Sequence, residues 1–339
     1  MIFTRYLYEK SRVEYSLLLA LLDRDENQAL FWTYELYFSG FRRETFALLW
    51  KYYFLLYAPF YVRFEKYLKN ITNQWLYHQD DHTIIGSFVV NMVIKEPCVD
   101  FYFMYYMREI CDYPRIMAPF LEEIKNSDPF EYRGIYIDFI DANPPLEKRM
   151  AVTERICDVL CSTMNLLVFD DELKKMAVIS RMMSHLFLLD PNNHIDSKMF
   201  IDIEPYDIKP YLHKAIIVGK SWKTPVKKCM YQQSIAPNMN YVSIFQLQNW
   251  IYFGWNSPVW NRRILSFEGE IDHVKKRVVF DDEDKEEKFH NLYDLEPDEQ
   301  SRDILERWYG RRPFHSWIEI YDRYKSSILH KWLDDHQFR

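Results

Sequence analysis

The sequence predicts a mainly α-helical protein. Irregularly stacked helical hairpins, of α-solenoid or bundle type, lead into a C-terminal helical region with one small β-hairpin. Three observations carry this. Apolar residues recur at helical spacing over most of the first 190 positions. The breaks between these stretches fall at proline or at short polar clusters. Only seven of 339 residues are glycine, where average usage gives about 24, so tight backbone turns are few. The seven are dispersed, which excludes a dinucleotide-binding G-x-G-x-x-G turn, a complete P-loop and a kinase glycine-rich loop. With 48% hydrophobic and 27% charged residues, the chain is a folded one.

Along the chain, Ser11 caps a first helix running to about Asp23, with Val13, Leu17, Leu18 and Leu21 on its apolar face. Arg24–Asn27 is a polar break before a second helix carrying Ala29, Leu30, Trp32, Leu36 and Tyr37. Gly40 suits the left-handed position after it. A third helix, about 43–57, is apolar nearly all round, the mark of a helix buried between neighbours. Further helices are predicted at roughly 60–76, 83–95, 98–111, 115–126, 146–165 and 171–188, separated at Pro97, Pro114 and Pro144-Pro145. No fixed repeat period is evident, so an irregular stack fits better than a consensus array.

Composition changes near residue 190, so the expected domains are 1–190, stacked helices, and 191–339, mixed but mostly helical. Prolines at 205, 210, 225 and 237 interrupt the second domain before helices at 242–253 and 257–266. Residues 270–280 alternate and end on Arg277-Val278-Val279-Phe280, which predicts the β-hairpin, with Gly269 at a turn. The acidic run from Asp281 to Lys288 reads as a solvated face or loop, and Pro313 to about Asp335 as a long closing helix.

Motifs that could carry chemistry are few. His78 and His82 stand four apart, a metal-ligating spacing on a helix, but a polar turn capped by Asp80, Asp81 or Thr83 is preferred. Cys157 and Cys161, one helical turn apart among Ile156, Val159 and Leu160, read as core. Gly219-Lys220-Ser221 is rejected as a P-loop end because Lys214 stands where its partner glycine must be. Asp170-Asp171 marks a helix start and complements its dipole. No catalytic residue, metal site or cofactor is assigned. Five cysteines without a C-x-x-C pair fit a reduced compartment. The charged start, with no apolar run of signal-peptide or membrane-spanning length, fits a protein that is neither secreted nor membrane-inserted.

The charge pattern is the strongest regional signal. Residues 208–267 contain no Asp or Glu and eight basic residues, among interleaved aromatics. Residues 268–304 reverse this, with 14 acids against six bases, so one reading has the two segments pairing with each other. The other makes the first a binding surface, with Lys220, Trp222, Lys223, Lys227, Lys228, Trp255, Arg262 and Arg263 as candidate residues. Cations neutralise phosphates and aromatic faces stack on unpaired bases. A net charge of −7 makes DNA unfit as the primary partner.

Ser11-Arg12-Val13-Glu14-Tyr15-Ser16-Leu17-Leu18-Leu19-Ala20-Leu21-Leu22, the stretch Ala29 to Phe41, and Asn249-Trp250-Ile251-Tyr252-Phe253 with Ser257-Pro258-Val259-Trp260 carry a family resemblance. In these blocks the chain resembles an uncharacterised helical protein family of giant viruses, the nucleocytoplasmic large DNA viruses. The resemblance implies a viral protein working in the host cytoplasm, in the viral factory, or packed in the virion. It transfers no catalytic residue.

The function these readings favour is a non-enzymatic helical scaffold or binding protein of a giant virus. It acts through aromatic and basic surfaces in a multi-protein assembly, and proteins are its expected partners. The alternative is an RNA-associated factor, such as a helical subunit of a viral translation-initiation or transcription complex, by fold-level analogy with the stacked-hairpin middle domain of initiation scaffolds. A second alternative is a metal-dependent enzyme using His78 and His82.

Overall fold

The computed structural model describes residues 1–107, 110, 117–143, 165–166, 168–188, 200–208, 211, 231–293 and 309–326. These residues are mainly helical, with one two-stranded antiparallel sheet. The helices predicted at 146–165 and beyond Ser326, with Cys157 and Cys161, lie outside them.

The chain forms two compact units that interleave in sequence. One joins Met1–Thr45 to Ile203–Trp317 and the other joins Phe46–Asp202 to Ile318–Arg339. The consecutive division at residue 190 therefore gives way to a discontinuous one. Hydrogen bonds and packing of the first two helices explain why.

In the first unit, α1 (Lys10–Leu22) and α2 (Glu26–Phe38) form a hairpin across a short turn. Asp25 closes it by accepting the Gln28 N–H at 3.0 Å. Both helices are buried on nearly every side, including Tyr15, Leu17, Leu21, Trp32, Tyr34 and Tyr37. A helix without a solvent face needs cover all round, and distant sequence supplies it. The Tyr8 hydroxyl donates to Tyr231 O at 2.7 Å, Ser234 N donates to Ser16 Oγ at 2.7 Å, and the Arg12 guanidinium donates to Tyr309 O at 2.8 Å. Trp260, fully buried, donates its indole N–H to Thr4 O at 2.8 Å.

The other elements of this unit are α10 (Pro205–Ile208), α11 (Ile244–Gln248), α12 (Trp250–Gly254), α13 (Pro258–Ser266), β1 (Gly269–Asp272), β2 (Arg277–Phe280) and α14 (Glu283–Tyr293). The single helix predicted at 242–253 is two, because the turn at Asn249 ends α11, whose start carries a Ser243–Gln246 capping box. The hairpin pairs Gly269 with Phe280 and Asp272 with Arg277. Gly269 begins a strand rather than a turn. Its lack of a side chain admits Ile264 Cγ2, which would lie 2.7 Å from a Cβ there. The acidic run read as a face or loop is α14. Its acids sit in the first turn, where the helix dipole favours them, and Phe289 and Tyr293 anchor it in the core.

In the second unit are α4 (Val62–Tyr77), α5 (Thr83–Val93), α6 (Asp100–Tyr106), α7 (Ala118–Asn126), α8 (Tyr132–Ala142) and α9 (Asp171–Leu188). α3 (Arg42–Leu56) contributes Phe46 onward to it. The last helix among the described residues, α15 (Trp317–Tyr324), contributes Ile318 onward. α8 was missed from sequence, although Tyr132, Ile135, Tyr136 and Phe139 are buried at helical spacing. Trp50 centres the core between Tyr53, Phe54, Phe88 and Phe169 and donates to Thr72 Oγ1 at 3.1 Å. The long closing helix is shorter than predicted. It begins at Trp317, and Lys325 and Ser326 already leave it. Ser326 N donates instead to the buried Asp100 carboxylate at 2.9 Å, which also accepts the Tyr321 hydroxyl at 3.1 Å.

Candidate aromatic and basic interface

Of the eight candidate residues, Lys220, Trp222, Lys223, Lys227 and Lys228 lie outside the described residues. Trp255 is half-buried, its N–H donating to Ile251 O at the end of α12. Arg262 is exposed on α13 and donates to Pro258 O at 3.2 Å. Arg263, its neighbour, turns inward. Its guanidinium carbon lies 4.4 Å from the Trp260 ring centroid and 4.8 Å from that of Tyr293. Burial pushes its pKa down to about 10, and its role is to clamp α13 to α14.

The acid-free segment and the acidic segment do meet, and rings carry the contact. Trp250 lies 6.4 Å from Phe289 and Trp260 lies 5.7 Å from Tyr293. Acids of the second segment are held by its own bases. Lys285 pairs with Glu268 and, at 3.3 Å, with Asp281. Asp272 accepts the N–H groups of Lys275 and Val274 at 2.9 and 3.1 Å across the hairpin tip. These bonds and the nearby Lys275 charge hold its carboxyl below the usual carboxylate range. Its Oδ2 also lies 4.0 Å from Arg277 Nε, so one tip cation is paired within the hairpin, while Lys275 and Lys276 are exposed.

What emerges around the hairpin tip is a surface that sequence reading did not assemble. Phe245, 49% exposed on α11, lies 6.2 Å from Phe253, which lies 5.2 Å from Tyr252, both on α12. The Tyr252 ring stands 6.0 Å from that of His273, next to the tip, with its hydroxyl 3.4 Å from His273 Nδ1. Lys276 Nζ lies over the Phe245 ring at 5.6 Å. Four residues before Phe245, Tyr241 is 59% exposed and carries the Arg312 guanidinium over its ring at 5.5 Å. Arg312 is positioned from behind by donating to Pro237 O at 2.7 Å. Lys275 and Arg277 are exposed beside Lys276, and Val274 at the tip is 93% exposed. Two cation–aromatic pairs thus involve rings four residues apart in sequence, and further cations flank the one at Phe245. Such a surface can hold flat π systems and anionic groups together.

Lys275, Lys276 and Arg277 escaped the sequence reading because they fall in a segment whose average charge is strongly negative. A signal was present, since three consecutive cations followed an alternating stretch.

The other candidate chemistry is structural. His78 caps the end of α4 and His82 precedes α5, so the two are not presented from one helical face. Asp81 Oδ1 accepts the Thr83 N–H at 3.0 Å in a polar turn ahead of α5, whose N-cap position is His82 and has no side-chain cap. Asp170 does cap α9, through Leu173 N at 2.8 Å. Among the described residues, no group of three His, Cys, Asp or Glu side chains is placed to hold a metal ion. No helix among them is long and apolar enough to cross a membrane. No protein-family model, no curated protein and no solved structure matches the chain.

Proposed function

We propose that this is a non-enzymatic binding protein that works as a scaffold component of a larger assembly, through the aromatic and basic surface at the hairpin tip. The observation that carries this reading is the pairing of exposed Tyr241 and Phe245 with Arg312 and Lys276 on a framework of buried rings. Aromatic and arginine side chains dominate recognition surfaces because they bury much area for little conformational loss. The buried side supplies the rigidity. Trp250 and Trp260, 5.0 Å apart, fix α12 and α13 behind the surface. The resemblance of residues 11–22, 29–41, 249–253 and 257–260 to the giant-virus family supports a setting in the viral factory or the virion.

Affinity purification with mass spectrometry, from infected cells and with and without nuclease, tests the reading. The wild-type chain is expected to retain discrete partners that the Lys275→Glu/Lys276→Glu variant loses. Equal recovery by a folded variant contradicts the assignment of this surface.

A further inference from the structure

We infer that the ligand of this surface is single-stranded RNA, its bases stacking on Phe245 and Tyr241 and its phosphates meeting Lys275, Lys276, Arg277 and Arg312. The inference rests on the binding reading above and names the chemistry of the partner. Three features favour it. The two exposed rings, Tyr241 and Phe245, stand four residues apart on one segment, and Phe245 heads a row that runs through Phe253 and Tyr252 to His273. A protein hot spot is more often a compact cluster shielded from water by its rim, whereas a strand presents its bases one after another.

Second, each ring already has a cation within cation–π range. Lys276 lies over Phe245 and Arg312 over Tyr241. A base arriving on Phe245 displaces Lys276 toward the phosphate that follows the base, whereas Arg312, held by Pro237 O and Met239 O, stays as a fixed cation beside Tyr241. Third, two acids beside the hairpin are already engaged. Asp272 is held by the backbone of the tip and Glu268 by Lys285, and residues 241–267 carry no acid. Duplex DNA does not fit, because its bases are not free to stack. His273, exposed beside the Tyr252 ring, extends the aromatic row.

Fluorescence anisotropy of the full-length protein with labelled oligouridylate and oligoadenylate of about 12 nucleotides tests the inference, the length lying within single-strand site sizes. Duplex DNA of equal length serves as the competitor. Binding is expected for the single strands, with affinity that falls as salt rises. Lys275→Glu/Lys276→Glu should flatten the plot of log affinity against log salt by about 1.4, since each of two phosphates left without its cation removes about 0.7 from the slope. Phe245→Ala should weaken binding about tenfold at every salt concentration, because one base no longer stacks. The charge-reversed pair is fully exposed, so its unchanged thermal midpoint serves as the folding control. No binding at low salt overturns the inference, as does binding that the charge reversal leaves unaltered. If RNA fails to bind while the same variant still loses its nuclease-resistant partners, the RNA assignment falls and the binding surface stands. If neither ligand depends on these residues, both fall.

Discussion

At the scale of single residues, the most consequential side chains are buried charges. Arg5 Nε pairs with Glu35 Oε2 at 2.9 Å, and Glu35 Oε1 accepts the Tyr6 N–H at 3.0 Å. In the second unit, Arg181 on α9 pairs with Glu65 on α4, both fully buried. Removing one partner of a buried pair leaves an uncompensated charge and costs about 3–5 kcal/mol. Glu35→Ala should lower the urea midpoint accordingly, and a midpoint within experimental error of wild type would contradict the pairing. His185 is the residue-scale source of pH dependence. Its Nε2 donates to Asn143 O at 2.6 Å, and burial pushes its pKa below the usual imidazole value. As pH falls below about 6.5, the unfolded chain takes up this proton before the folded one does. Stability from this group is therefore complete above that pH and declines below it, through the window between the unfolded and folded pKa. Urea midpoints followed from about pH 8 to 5 should show a shallower decline for His185→Gln than for wild type; parallel declines would exclude the histidine as a source. Glycines divide in the same way. Gly40 has φ of +97°, and a Cβ there would lie 2.6 Å from Pro258 Cβ, whereas Gly134 is exposed within α8 with open space around it. Gly134→Ala should stabilise by about 0.5–1 kcal/mol, while Gly40→Ala destabilises by more than about 1 kcal/mol. Thermal midpoints of the two variants check both signs.

At the scale of elements, what was legible in the sequence was whatever local pattern alone decides. α1, α2, α4, α5 and α9 stand close to their predicted limits because the apolar period decides them, although Ser11, expected to cap α1, lies inside it after an N-cap position at Glu9. Asp25 and Asp170 are caps that could be read directly. Elements were missed where tertiary packing overrides local character. α14 reads as solvated charge because only Phe289 and Tyr293 hold it to the core. The stretch 242–253 is broken by a turn at Asn249 that no proline or glycine announces. The candidate surface was partly legible. Its aromatics were visible, but that Arg263 turns inward and Lys276 turns onto Phe245 depends on contacts between elements. The prediction at this scale concerns α14. Phe289→Ala removes a fully buried ring that meets Phe280, Phe267 and Trp250, and should cost about 3–5 kcal/mol. Loss of hydrogen-exchange protection centred on α14 and the β-hairpin is expected. Loss spread evenly over all described helices, or none, would contradict this packing.

At the scale of the molecule, the interleaving of the two units is the feature the sequence did not disclose. The cover for α1 and α2 comes from residues 200 or more positions away, through Tyr231 against Phe31, Ser234 on Ser16 and Tyr309 on Arg12. A fragment of residues 1–190 should therefore expose their apolar faces, associate in gel filtration and unfold without a sharp transition. A monomeric fragment with cooperative unfolding would contradict the discontinuous division. The functional account sits at this scale as well, since its surface joins α11, α12, the β-hairpin and Arg312, and exists only when the first unit is closed. Crosslinking mass spectrometry on the native assembly, using a lysine-reactive reagent for proteins and photo-crosslinking for RNA, tests it most directly. The account predicts that crosslinks to the bound ligand concentrate at Lys275, Lys276 and the adjoining Tyr241 and Phe245. Crosslinks confined to the exposed lysines of α4 and α7, Lys66 and Lys125, with none at the hairpin tip, would contradict it.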